Sequence, residues 1–162
     1  MNFNTYIEKH LNQIDIKIDE VDFHNQKFNL QLSNNELKLY SFISYCSNYL
    51  KKVIDSEFVF FVTSLRKESE FIYNDLCNKI DNLDIANFEL DEFKKEIRII
   101  KRRVNIFLAL ISILEEYKIE EIGIMSSKFA DLLIKSSFQF SMIQYYKNNP
   151  KLFNKKIDIS NS

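Results

Sequence analysis

Residues 101–133 read KRRVNIFLALISILEEYKIEEIGIMSSKFADLL, and this stretch decides the fold. It opens on a basic turn, becomes almost wholly apolar over 104–114, breaks at the charged link 115–121 and resumes as a second helical pattern. At 100° per residue, Ile97, Ile100, Val104, Phe107, Ile111 and Leu114 share one arc of roughly 100°. Lys94, Arg98, Lys101 and Arg102 lie opposite. Ile106, Leu108, Leu110 and Ile113 then make the remaining faces apolar, and a helix apolar all round is buried. The spacing therefore predicts a central helix over 91–117. Ile119, Ile122, Met125, Phe129, Leu132, Leu133 and Phe140 form the stripe of a second helix over 119–148. Asn148-Asn149-Pro150 ends it, because the residue before a proline avoids the helical region. We read the two as an antiparallel pair at the heart of the domain.

Working outward, shorter elements lean on this pair. Phe3, Tyr6, Ile7, Leu11 and Ile14 follow helical spacing. Over 15–33 the pattern changes to period two, with Ile16 and Ile18, then Phe28, Leu30 and Leu32. That reads as extended chain or a short hairpin, with packed irregular chain or one more helix as alternatives. Ser33-Asn34-Asn35-Glu36 fits a capping box and starts a helix through Leu37, Tyr40 and Ile43. Ser47 caps the next helix, over 48–54. Asp55-Ser56-Glu57 reads as a link or cap before the apolar run 58–62. A further helix over 67–80 carries Phe71, Ile72, Leu76 and Ile80 as its stripe. The link 81–90 is polar, pinned by Leu83, Ile85 and Phe88. The result is an all-α array of about six helices in one domain, 1–150, with a polar tail over 151–162.

Composition agrees and narrows the function classes. With 46% hydrophobic and 28% charged residues, the chain is globular rather than disordered. One Gly and one Pro among 162 residues are too few for a many-stranded fold rich in tight turns. The formal net charge of -1 provides no global attraction to nucleic acid or to an anionic membrane. The start has no signal-peptide pattern, and the longest apolar run is shorter than the roughly 20 residues a membrane span needs. Cys46 and Cys77 stand apart without CxxC spacing, which fits reduced thiols in a cytoplasmic protein. His10 and His24 are far apart and suggest neither a metal site nor a catalytic base. No Ser-His-Asp arrangement is legible, and the acidic pairs Glu115-Glu116 and Glu120-Glu121 lack a supporting histidine. No cofactor or metal is expected.

At Lys101 the sequence acquires a resemblance. Lys101-Arg102-Arg103-Val104, followed by Ile106-Phe107-Leu108-Ala109-Leu110, resembles the K-R-R-x-A-L-L-I-A-L-A-D-I segment of glutamine synthetase adenylyltransferases. Ile119-Glu120-Glu121-Ile122 is similar to that family's L-E-E-V, and Phe129-Ala130-Asp131 to its F-A-D-A-A-L. Upstream, Ser47-Asn48-Tyr49-Leu50 resembles N-S-P-Y-L, with Asn48 in place of Pro. The likeness spans about 43–140. Ser112 replaces the family's Asp, Tyr117 stands where Trp is frequent, and Glu115 lies near a usual Gly.

In that family the segment is the helical region leading into the deadenylylating nucleotidyltransferase domain. The chemistry there needs a Gly-rich stretch of G-x-G-K-L-G-G-x-E-L type and an S-D-x-D carboxylate pair, to approach nucleotide phosphates and to hold Mg²⁺. Neither occurs in these 162 residues; the single glycine is Gly123. The resemblance therefore implies a non-catalytic helical piece connected with bacterial nitrogen regulation. It would be a gene remnant, or a scaffold for a separately encoded nucleotidyltransferase segment or for glutamine synthetase. The alternative is a helical protein–protein interaction module of unrelated function. A nucleic-acid contact through the basic stretch 94–103 ranks below both. Arg98, Lys101, Arg102 and Arg103 are the candidate docking or structural residues. Arg103 lies nearest the apolar arc and invites a carboxylate partner, for which the resemblance suggests Asp131.

Overall fold

The computed structural model describes residues 3–11 and 31–151. The extended or irregular reading of 15–33 falls outside the described residues up to position 30, and the tail falls outside them from position 152. The described residues form helices and no strand. A short helix α1 (Phe3–Tyr6) continues into the π-helical turn Ile7–Leu11. Then come α2 (Asn34–Cys46), α3 (Asn48–Ser56), α4 (Phe58–Leu65), α5 (Ser69–Asp81), α6 (Leu90–Ile113) and α7 (Ile119–Asn148).

Local chemistry starts these helices where the sequence indicates. The Ser33 hydroxyl accepts the Glu36 N–H at 3.2 Å, and the Glu36 carboxylate accepts the Ser33 N–H at 2.9 Å. This is the reciprocal capping box. Ser47 caps α3 by accepting the Leu50 N–H at 3.2 Å. α6 ends earlier than its apolar pattern suggests. The Glu116 N–H reaches the Ile111 carbonyl and the Glu115 N–H the Ser112 carbonyl, while Glu115 takes φ 53°. That pair of bonds around a left-handed residue is a Schellman stop, which closes the helix at Ile113 rather than at 117. α5 likewise begins at Ser69 rather than 67.

The apolar all-round character of α6 has a simple cause: the helix serves two cores. Ile106, Leu110 and Leu114 pack with buried residues of the N-terminal elements, among them Leu39, Tyr40, Ile43, Ile54, Phe58 and Phe61. Ile100, Val104, Phe107 and Ile111 pack instead with Ile72, Leu76 and Ile80 of α5 and with Phe129 and Leu132 of α7. Phe93 stacks on Phe140 at 4.0 Å, and Phe107 meets Phe129 edge-on at 6.1 Å. The order of these contacts rises along α6 and falls along α7.

Two stripe residues are displaced from their expected places. Phe71 is 57% exposed, and the α5 core face is made by Ile72, Leu76 and Ile80, with Tyr73 and Cys77 packed at its edge. Ile119 is 80% exposed because it opens α7 about a quarter turn away from the buried face. No helix among the described residues is long and apolar enough to cross a membrane.

Candidate functional site

The basic stretch of α6 divides into two populations. Lys94, Lys95, Arg98 and Lys101 are exposed on its outer side. Arg102 and Arg103 turn toward the corner between α3 and α4, where the Glu57 carboxylate is buried with 8% side-chain exposure. Arg103 Nε donates to Glu57 Oε2 at 2.9 Å, and Arg102 Nη1 lies 3.6 Å from Oε1. The Arg103 guanidinium also sits over the Phe60 ring, 5.5 Å from its centroid. A carboxylate removed from water needs both charge and hydrogen-bond donors around it, and two arginines from one helix turn supply them.

The partner of Arg103 is therefore Glu57 and not Asp131. Asp131 is exposed on α7, on the side away from Phe129 and Leu132, which face α6. Spacing within one helix could reveal that Arg103 borders the apolar arc. It could not reveal which carboxylate waits across the chain, because Glu57 reads as a mere link residue in the sequence.

A second carboxylate, Glu36, is also buried. Arg66, just past α4, grips it with both prongs, Nε to Oε1 at 2.7 Å and Nη2 to Oε2 at 2.9 Å. Arg66 Nη2 also donates to the Gln31 carbonyl at 2.7 Å. Burial pushes the Glu36 carboxyl up. The Arg66 and Ser33 hydrogen bonds and the Arg66 charge outweigh that, so its pKa lies below the usual glutamate range. This geometry is structural: one carboxylate caps α2 and ties it to the end of α4. The signal for it was half legible, since the capping box could be read and its arginine could not.

Among the described residues no three His, Cys, Asp or Glu side chains group as metal ligands. Burial raises the pKa of the Cys77 thiol, the opposite of what a nucleophilic thiolate needs.

The outer face of α7 is a different kind of feature. Ile124, Ser127, Asp131, Ile134, Phe138, Ser141 and Tyr145 are all exposed and recur at alternating steps of three and four. They share one side of the helix, opposite the buried Phe129, Leu132, Ser136 and Phe140. Ile124, Ile134 and Phe138 keep 69%, 67% and 65% of their surfaces in solvent. Three of the seven, Ser127, Asp131 and Ser141, are polar, so the row is an exposed helix side with four large apolar side chains on it. Compared with known protein families, with curated proteins and with solved structures, the chain matches none.

Proposed function

We propose that this chain is a non-catalytic helical scaffold that docks a protein partner along the outer face of α7. The single observation that carries the reading is the exposed seam of Ile124, Ile134, Phe138 and Tyr145 on the longest helix. Scattered exposed apolar residues are ordinary on a soluble protein, but four that share one side of a single helix offer a partner helix a surface. The resemblance of 43–140 to the region preceding the deadenylylase domain supports the partner's identity. That partner is a nucleotidyltransferase segment supplied by another chain, or glutamine synthetase itself. A cytoplasmic setting is part of the proposal, supported by the free cysteines Cys46 and Cys77.

The test is co-elution of the purified chain with a nucleotidyltransferase domain of that family and with glutamine synthetase. The expected outcome is a complex that the double change Ile134→Ser with Phe138→Ser abolishes while the helical circular dichroism persists. Removal of AMP from adenylylated glutamine synthetase by the chain alone would sink the non-catalytic reading. A complex indifferent to the double change would sink the α7 surface. The nucleic-acid reading is disfavoured because the six cations of 94–103 do not form one surface: Arg102 and Arg103 turn to Glu57, away from the exposed Lys94, Lys95, Arg98 and Lys101.

A further inference from the structure

A groove of about 280 Å³ opens beside the Glu57–Arg103 pair, walled by α4 and α5. Its apolar side includes Phe60, Phe71 and Ile72, and Lys67, Lys79 and Arg103 line it as well. The acidic lining residues are already matched: Glu57 lies against Arg103 and Arg102, and Asp75 lies 2.8 Å from Lys79. Lys67 Nζ sits over the Phe71 ring at 4.9 Å, so positive charge and an exposed aromatic face occur together. Arg103 is the better-prepared group. Glu57 holds it by Nε alone, and its two Nη groups have no protein acceptor among the described residues. A guanidinium fixed by a buried carboxylate over a phenyl ring keeps a planar pair of donors in place without the entropy loss of ordering a free side chain.

We propose that this groove binds a small amphipathic anion, an aromatic carboxylate. The ligand's carboxylate accepts from the Nη groups of Arg103, and its ring packs on the wall of Phe60 and Phe71. The volume, about 280 Å³, lies just below the roughly 300–1,000 Å³ usual for ligand sites, which selects a one- or two-ring molecule over a nucleotide. No residue of α7 lines the groove, so the site is independent of the partner surface.

The experiment is calorimetric titration of the full chain with 2-naphthoate, with the neutral 2-naphthylmethanol as its control. We expect saturable 2-naphthoate binding at least about tenfold tighter than the alcohol, since a charged hydrogen bond supplies the difference. Arg103→Met should remove that preference. Phe71→Ala changes an exposed residue, so it keeps the fold even if Arg103→Met does not; it should weaken 2-naphthoate severalfold. The double change Ile134→Ser with Phe138→Ser should leave the titration unaltered. Absence of saturable binding, equal affinity for acid and alcohol, or a folded Phe71→Ala variant that binds like the original would each overturn the proposal.

Discussion

On one side of α6, three helices of 13, 9 and 8 residues fold back on one another; on the other, α6 and α7 run for 24 and 30 residues with α5 beside them. Both sides have aromatic interiors. Tyr40, Phe58 and Phe61 cluster on the first, and Tyr73, Phe107 and Phe129 on the second. The difference is electrical. Both carboxylates buried among the described residues, Glu36 and Glu57, belong to the short-helix side. There Tyr40 also donates to Asp55 at 2.6 Å, linking α2 to α3. The long-helix side is tied at its surface, as by Lys135 to Asp81 at 2.8 Å, or to backbone carbonyls, as by Ser136 to Ile80 at 3.2 Å. A long amphipathic helix buries enough area to define its own position. Helices of two or three turns bury less, and their mutual angles are specified by polar clamps at the corners.

If the long-helix side rests on apolar packing, Phe107→Ala should have the largest effect. Its ring is fully buried between α5 and α7, and removal should cost about 3–5 kcal/mol in chemical denaturation. A loss below about 1 kcal/mol would break the distinction from that side. Glu57→Gln tests the other side. It keeps the shape but withdraws the charge facing Arg102 and Arg103, and should cost about 2 kcal/mol. Solvent at the half-exposed arginines keeps the loss below that of a fully buried pair.

Glu36→Gln should cost about 1–2 kcal/mol, because Arg66 is 46% exposed and screened. This variant also has a pH signature. The Glu36 carboxyl titrates lower in the folded chain than in the unfolded one, so its contribution is complete above the ordinary glutamate range, about 4.3, and fades as pH falls through the folded value. The difference in stability between the original and the variant should therefore shrink on acidification below about pH 4. A constant difference down to the acid limit would show that the clamp is not ionic. The smallest change is a gain: Glu115→Gly, at the left-handed stop of α6, should stabilise by about 1 kcal/mol, read as a higher denaturation midpoint. No gain would mean that the side chain of Glu115 compensates its own backbone strain.

Much of this architecture is legible along the chain. The capping box at Ser33, the cap at Ser47, the span 119–148 and the two-sided apolarity of α6 depend on residues within a few positions of each other. Such local signals are encoded by spacing, and a single sequence displays them. The misplacements of Phe71 and Ile119 have a related cause. Periodicity identifies an apolar residue near a stripe, but whether a neighbour covers it depends on where another helix stops.

The candidate site was legible only by half. The basic turn and the unusual position of Arg103 could be read from the helix itself. Its partner Glu57 lies 46 residues away, and Arg66 lies 30 residues from Glu36. Nothing in the letters D-S-E at 55–57 distinguishes a buried carboxylate from a solvated link. The sequence by itself determined most of the helical segments and most of their apolar faces, because those properties are local in the backbone; it left 55–56 as a link and 58–62 as a bare apolar run, both of which are helical. Only the tertiary structure decided which charges meet, which stripe faces solvent and where a groove remains, because each depends on how separate helices are brought together by the burial of their common core.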